Sequence, residues 1–90
     1  MTDTHWTYPA ELIDALGRFG LAPMPATPPR LVRDQLSDLY RYEIRRLRGQ
    51  LLAGAFPKAD YVARVIALRK RYWPLSLTPE QWEHLCRLNG

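Results

Sequence analysis

The sequence holds a single cysteine, Cys86, so no disulfide can close within the chain and any stability must come from packing. A lone free thiol also suits a reducing compartment, and we expect a cytoplasmic location. No basic segment followed by an apolar run opens "MTDTHWTYPAEL", which argues against a secretory signal. The longest uncharged stretch, "GLAPMPATPP", is broken by prolines and too short to cross a bilayer, so a membrane is not among the expected partners.

Catalytic vocabulary is just as sparse. The only serines are Ser37 and Ser76, and neither stands in a nucleophile-elbow motif. The two histidines are His5 and His84. His84 and Cys86 are two apart on a helix and point to different sides, so they do not form a base–nucleophile pair. A His-x-Cys pair with one remote histidine also lacks the clustered donors of structural zinc. Five glycines supply neither a Walker loop nor a dinucleotide fingerprint. These absences lead us to expect no catalytic residues, no metal site and no cofactor.

What the chain does have is helix punctuation, arginine and aromatic rings. Its 90 residues, 47% of them hydrophobic, allow one small globular domain. A domain of this size buries a modest core, and contact with a partner or a second copy would add to its stability. Four helical segments are legible and no strand is. In "TYPAELIDALGRFG", Pro9 fits the first helical position, Glu11 lies in the first turn, and Gly20 provides a stop. Leu12, Ile13, Leu16 and Phe19 make its apolar face. We read residues 1–20 as a helical arm and the proline-rich 21–29 as a stiff linker.

The second helix opens with Thr27 as cap and Pro28 at the first turn, and stops at Gly54. Val32, Leu36, Leu39, Tyr40, Ile44, Leu47 and Leu51 fall on one side at about 100° per residue. The short "GAFP" loop turns the chain back, so residues 30–53 and 58–73 form an antiparallel hairpin. The returning helix carries two apolar rows, Tyr61–Val65–Leu68–Tyr72 and Val62–Ile66–Trp73, wide enough to touch two neighbours. Pro74 ends it. "LTPEQW" is a capping box, with Thr78 as cap, Gln81 reaching back, and Leu77 against Trp82 as a staple for a fourth helix over 79–88. The expected fold is all-α: the hairpin, the short C-terminal helix packed on it, and the N-terminal helix joined through the linker.

Glu43 interrupts the apolar stripe of the second helix. With facing residues summing to about 112 in a hairpin turning near residue 56, Leu51 meets Tyr61, Tyr40 meets Tyr72, and Glu43 meets Arg69. We expect Glu43 and Arg69 either to form a structural ion pair that sets register or to reach past the edge of the interface to water, rather than to supply a catalytic acid.

Charge is uneven. Residues 27–53 carry six cations against three anions and residues 54–77 five against one, while both ends are mildly acidic. Eleven of the thirteen cations are arginine. That bias suits a GC-rich, bacterial genome. Arg41, Arg45 and Arg48 form an outer ridge that could hold phosphate, but Asp34 and Asp38 continue the same ridge. Tyrosine, tryptophan and arginine dominate protein–protein hot spots. We therefore take Trp6, Tyr8, Tyr72 and Trp73, with the arginine ridge, as candidate partner-binding residues. The expected function is a non-enzymatic protein–protein interaction module, an adaptor or accessory subunit that binds another protein or itself. A nucleic-acid-binding regulator using the basic hairpin is the alternative.

Overall fold

A computed structural model describes residues 5–86 and the backbone of residues 88 and 89. The fold is all-α. It comprises α1 (Ala10–Gly17), α2 (Pro29–Leu52), α3 (Lys58–Arg71), a 3₁₀ turn at Trp73–Ser76, and α4 (Pro79–Cys86). Two-residue strands, β1 (His5–Trp6) and β2 (Leu88–Asn89), pair antiparallel, His5 opposite Asn89 and Trp6 opposite Leu88. The reading without strands missed this ladder, and the fourth helix stops at Cys86 rather than running to residue 88. The backbone explains the early stop: the Cys86 carbonyl accepts from the Thr7 amide at 2.7 Å, drawing the chain's two ends alongside each other.

Helix boundaries follow local chemistry. Thr78 and Gln81 cap α4 reciprocally: the Gln81 amide donates to Thr78 Oγ1 at 3.1 Å, and the Thr78 amide donates to Gln81 Oε1 at 2.8 Å. At α2 the cap sits one residue later than expected, on Pro28, with Pro29 opening the helix. Thr27 is occupied elsewhere. Its hydroxyl accepts from the Met24 amide at 3.0 Å, and its carbonyl accepts from the Tyr8 hydroxyl at 2.6 Å. α1 ends at Gly17, and the chain turns at Gly20 with φ +76°, a left-handed conformation that glycine adopts without strain. Gly54, at φ +77°, does the same between α2 and α3.

The core gathers at one end of the molecule. Leu12 and Leu16 from α1, Val32 and Leu36 from α2, Leu68 and Tyr72 around the end of α3, and Trp82 and Cys86 from α4 are buried together with Tyr8. Trp82 is fully enclosed, and its indole N–H donates to the Pro74 carbonyl at 2.7 Å, anchoring the 3₁₀ turn. Arg33 reinforces that turn from α2: its Nε donates to the Leu77 carbonyl at 3.0 Å. Arg30 pairs with Glu83 at 3.1 Å and Glu80 at 3.5 Å across the surface between α2 and α4.

Over its described residues, 5–20, the segment read as a helical arm is therefore not simply an arm. Tyr8, Leu12, Ala15 and Leu16 are integral to the core. The outlying part is the hairpin. No residue from 37 to 67 is buried. The molecule measures 57 × 20 × 16 Å, with a radius of gyration of 15.9 Å, against about 12 Å for a compact chain of this length. A packed head thus carries a two-helix stalk.

Candidate functional site

The hairpin register matches the facing sum expected from the turn. Tyr40 meets Tyr72 edge-on with ring centroids 5.2 Å apart, and Leu51 and Tyr61 line one hollow. Glu43, however, does not pair with Arg69. It accepts a hydrogen bond from the Tyr72 hydroxyl and lies 4.0 Å from Arg71. The helical wheel supplies the reason. On α3, Arg71 stands about 60° to one side of Leu68 and Arg69 about 100° to the other, so they flank opposite edges of the seam. Glu43 borders the Arg64 and Arg71 edge, whereas Arg69 borders the edge that carries Tyr40. Facing sums fixed which residues lie level with one another but ignored which side of the seam each takes.

Burial divides the residues proposed as partner contacts. Tyr8 and Tyr72, at 8% and 3% exposure, are core residues and not surface contacts. Each ring fills the head while its hydroxyl reaches a fixed acceptor, Thr27 or Glu43. Phe19 lies against Tyr72 at 4.2 Å between centroids, completing that enclosure. Trp6 is half-buried against the core, its amide held by the Pro25 carbonyl at 2.7 Å. Trp73 alone of the candidate aromatics keeps a substantially open face, at 40% exposure. Of the arginine ridge, Arg41 lies 3.8 Å from Asp38, Arg45 is exposed, and Arg48 turns to the open side of the hairpin.

That open side is the feature the sequence reading did not isolate. Val62, Ile66 and Arg69 fall within an arc of about 60° on α3, whereas Trp73 lies beyond its end in the 3₁₀ turn and lines a separate hollow with Glu11, Asp14, Ala15 and Arg18 beside α1. All three are exposed, and Val62 and Ile66 stay outside the core formed by the described residues. Half-buried Ile44, Leu51, Tyr61 and Val65 form the adjoining seam. Two hollows mark its ends. One, about 270 Å³, lies near the head between Tyr40, Arg69, Tyr72, Leu75 and Ser76. The other, about 500 Å³, lies near the tip between Arg48, Leu51, Leu52, Lys58 and Tyr61. Every charged residue lining these two hollows is a cation, and none of the three has a carboxylate within 4 Å among the described residues. The opposite side differs: Glu43 and Arg71 approach one another there, and Arg64 lies 4.4 Å over the Phe56 ring.

Groups with reactive potential are otherwise engaged. Cys86 is enclosed in the core, and burial pushes its thiol up to about 11, away from the thiolate that nucleophilic chemistry uses. Burial, followed by the charge of Cys86, pushes the Tyr8 phenol up to about 12. Tyr72 is raised further, first by burial and then by its bond to Glu43. Among the described residues no group of three or more histidine, cysteine or carboxylate side chains is placed to hold a metal ion, and no helix is long and apolar enough to cross a membrane. Comparison with known proteins found no matching family model, no similar curated protein and no similar solved structure.

Proposed function

We propose that this protein is a small non-enzymatic interaction module, an adaptor or accessory subunit whose head serves as a mount and whose hairpin is the docking element. The observation that carries this reading is the exposed pair Val62 and Ile66 beside a seam of half-buried aliphatic residues. Exposed apolar residues scattered singly need no explanation, but a continuous stripe along a projecting hairpin is the form taken by protein contact surfaces. Tyr61, half-buried at the tip of the same seam, adds an aromatic anchor of the kind that concentrates binding energy.

A second reading, a nucleic-acid-binding regulator, draws on the cation excess of the hairpin. Residues 37–71 hold nine cations against three anions. Arg45 and Arg48 are free to meet phosphate, while Arg41 is held by Asp38.

Photo-crosslinking in the source cells separates the two. A photoreactive residue at Val62 or Ile66 should give a discrete adduct that protease removes and nuclease does not, and the same residue at Leu85 on α4 should not give that adduct. A nuclease-sensitive adduct would favour the second reading, and no adduct at either hairpin position would remove the first.

A further inference from the structure

Resting on that interaction-module reading, we propose that the open face of the hairpin takes an acidic amphipathic helix of another protein. Three features of the face select this occupant. Its floor is aliphatic, built from Ile44, Leu51, Val62, Val65 and Ile66, and such a floor accepts the apolar stripe of a helix laid along the seam. The cavity cations Arg48, Lys58 and Arg69 lie at both ends of that floor and are unanswered by any carboxylate among the described residues. α3 extends for 14 residues, so about four turns of a partner helix would run from the hollow near the head to the hollow near the tip.

A second copy of this chain fits less well. Symmetric pairing through this face would bring the same uncompensated cations into one interface, where unlike charge is needed for complementarity. Nucleic acid would find cations, but also an aliphatic floor that bases do not stack on; the rings lining the two hollows are half-buried Tyr61 at the tip and, at the head, half-buried Tyr40 and buried Tyr72. Laid with its apolar stripe down, an acidic helix satisfies floor and rim together. The added contact would also turn a two-helix stalk into a three-helix layer, giving the hairpin the packing it lacks along residues 37–67.

The test uses the full chain and a synthetic probe. The probe is a peptide of about eighteen residues, with leucine at helical spacing of three and four and glutamate and alanine elsewhere. Two controls accompany it: a lysine-for-glutamate version, and a scrambled version of identical composition. Methyl signals of Val62, Val65 and Ile66 are followed by NMR during titration. The acidic amphipathic peptide should produce saturable shifts centred on these groups, and both controls should bind at least about tenfold more weakly. Arg48→Glu with Lys58→Glu should weaken binding by about tenfold or more, as should Val62→Ser with Ile66→Ser. Tyr42→Ser, an exposed change on the opposite side of α2, should leave binding unaltered. The four substituted face residues are all exposed, so the variants keep the core intact.

Several results would overturn the proposal: no saturable shift at millimolar peptide, equal binding of the scrambled or lysine peptide, or shifts centred away from the face. So would a free chain that sediments as a dimer with Val62 and Ile66 covered, or tighter and steeply salt-dependent occupation of the same groups by a DNA or RNA oligonucleotide. Peptide failure alongside a protein adduct at Val62 would refute the acidic-helix partner while leaving the interaction-module reading standing. Absence of both would refute both.

Discussion

Head and stalk are built from the same kinds of residue yet reach different degrees of completion. In the head, four helical elements and the paired chain ends converge, and Leu16, Leu36, Trp82 and Cys86 lose all contact with solvent. In the stalk, two helices meet along one seam, and the best-packed residues, such as Ile44, Leu47, Leu51 and Val65, remain half-buried. A helix can bury one stripe against one neighbour; enclosing a side chain takes a third element. α4 and α1 supply it at the head, and nothing among the described residues supplies it at the tip. The apolar residues along α3 are therefore more numerous than its own fold uses, which is the ground for assigning the surplus to a partner.

Core deletion in the head should give the largest effect. Trp82→Ala removes a fully buried ring and its bond to Pro74, and large aromatic truncations of this kind cost about 3–5 kcal/mol. Much of a 90-residue domain's stability is of that order, so thermal unfolding should show the variant largely unfolded at room temperature. If Val65→Ala in the stalk were equally damaging, the contrast between the two regions would fail.

The junction between them should be intermediate. Tyr72→Phe removes the hydroxyl bonded to Glu43 while keeping the ring among Phe19 and Tyr40, and should cost about 1–3 kcal/mol in denaturant unfolding. Arg69→Ala, by contrast, should cost less than about 0.5 kcal/mol, because Arg69 is exposed and is not the partner of Glu43.

Alkaline pH should loosen the head. The unfolded Cys86 thiol ionises near 9 and the unfolded Tyr8 phenol near 10, whereas in the fold they hold their protons to about 11 and about 12. The folded state therefore binds more protons than the unfolded state across this range, and stability falls as pH rises from about 9 to about 12. Below that range the contribution is fully present. A melting series by circular dichroism should show the decline, and Tyr8→Phe should flatten its upper part.

The smallest effect belongs to the open face. Val62→Ser and Ile66→Ser, at 60% and 48% exposure, should each change stability by less than about 0.5 kcal/mol. Substantial destabilisation of the isolated chain would mean these residues already have a packing role, and the surplus would disappear.

Much of this architecture was legible in the residues. "LTPEQW" announces a capping box because the chemistry is local, and the structure forms both of its hydrogen bonds. The hairpin followed from two apolar stripes and a short loop. Three features were not legible, each for a reason of range or side. The Thr27 cap failed because Tyr8, nineteen residues away, claims the Thr27 carbonyl and the Thr27 hydroxyl turns to Met24. The Glu43–Arg69 pairing failed because residues level in a hairpin can still sit on opposite edges of its seam. Tyr8 and Tyr72 were taken for surface contacts because composition counts aromatic rings without showing which ones the returning α1 and α4 enclose. Trp73, next to Tyr72 in sequence but opening the 3₁₀ turn past the end of α3, is the one left most exposed.

Native-state hydrogen exchange on the free chain compares head and stalk most directly. A tip without a core of its own should open independently, so amides of residues 44–52 and 58–66 should exchange orders of magnitude faster than those of Val32–Leu36 and Trp82–Cys86. Equal protection along the whole of α2, from Val32 to Leu51, would contradict it, because the hairpin would then be as completely stabilised as the head with no surface left waiting for a partner.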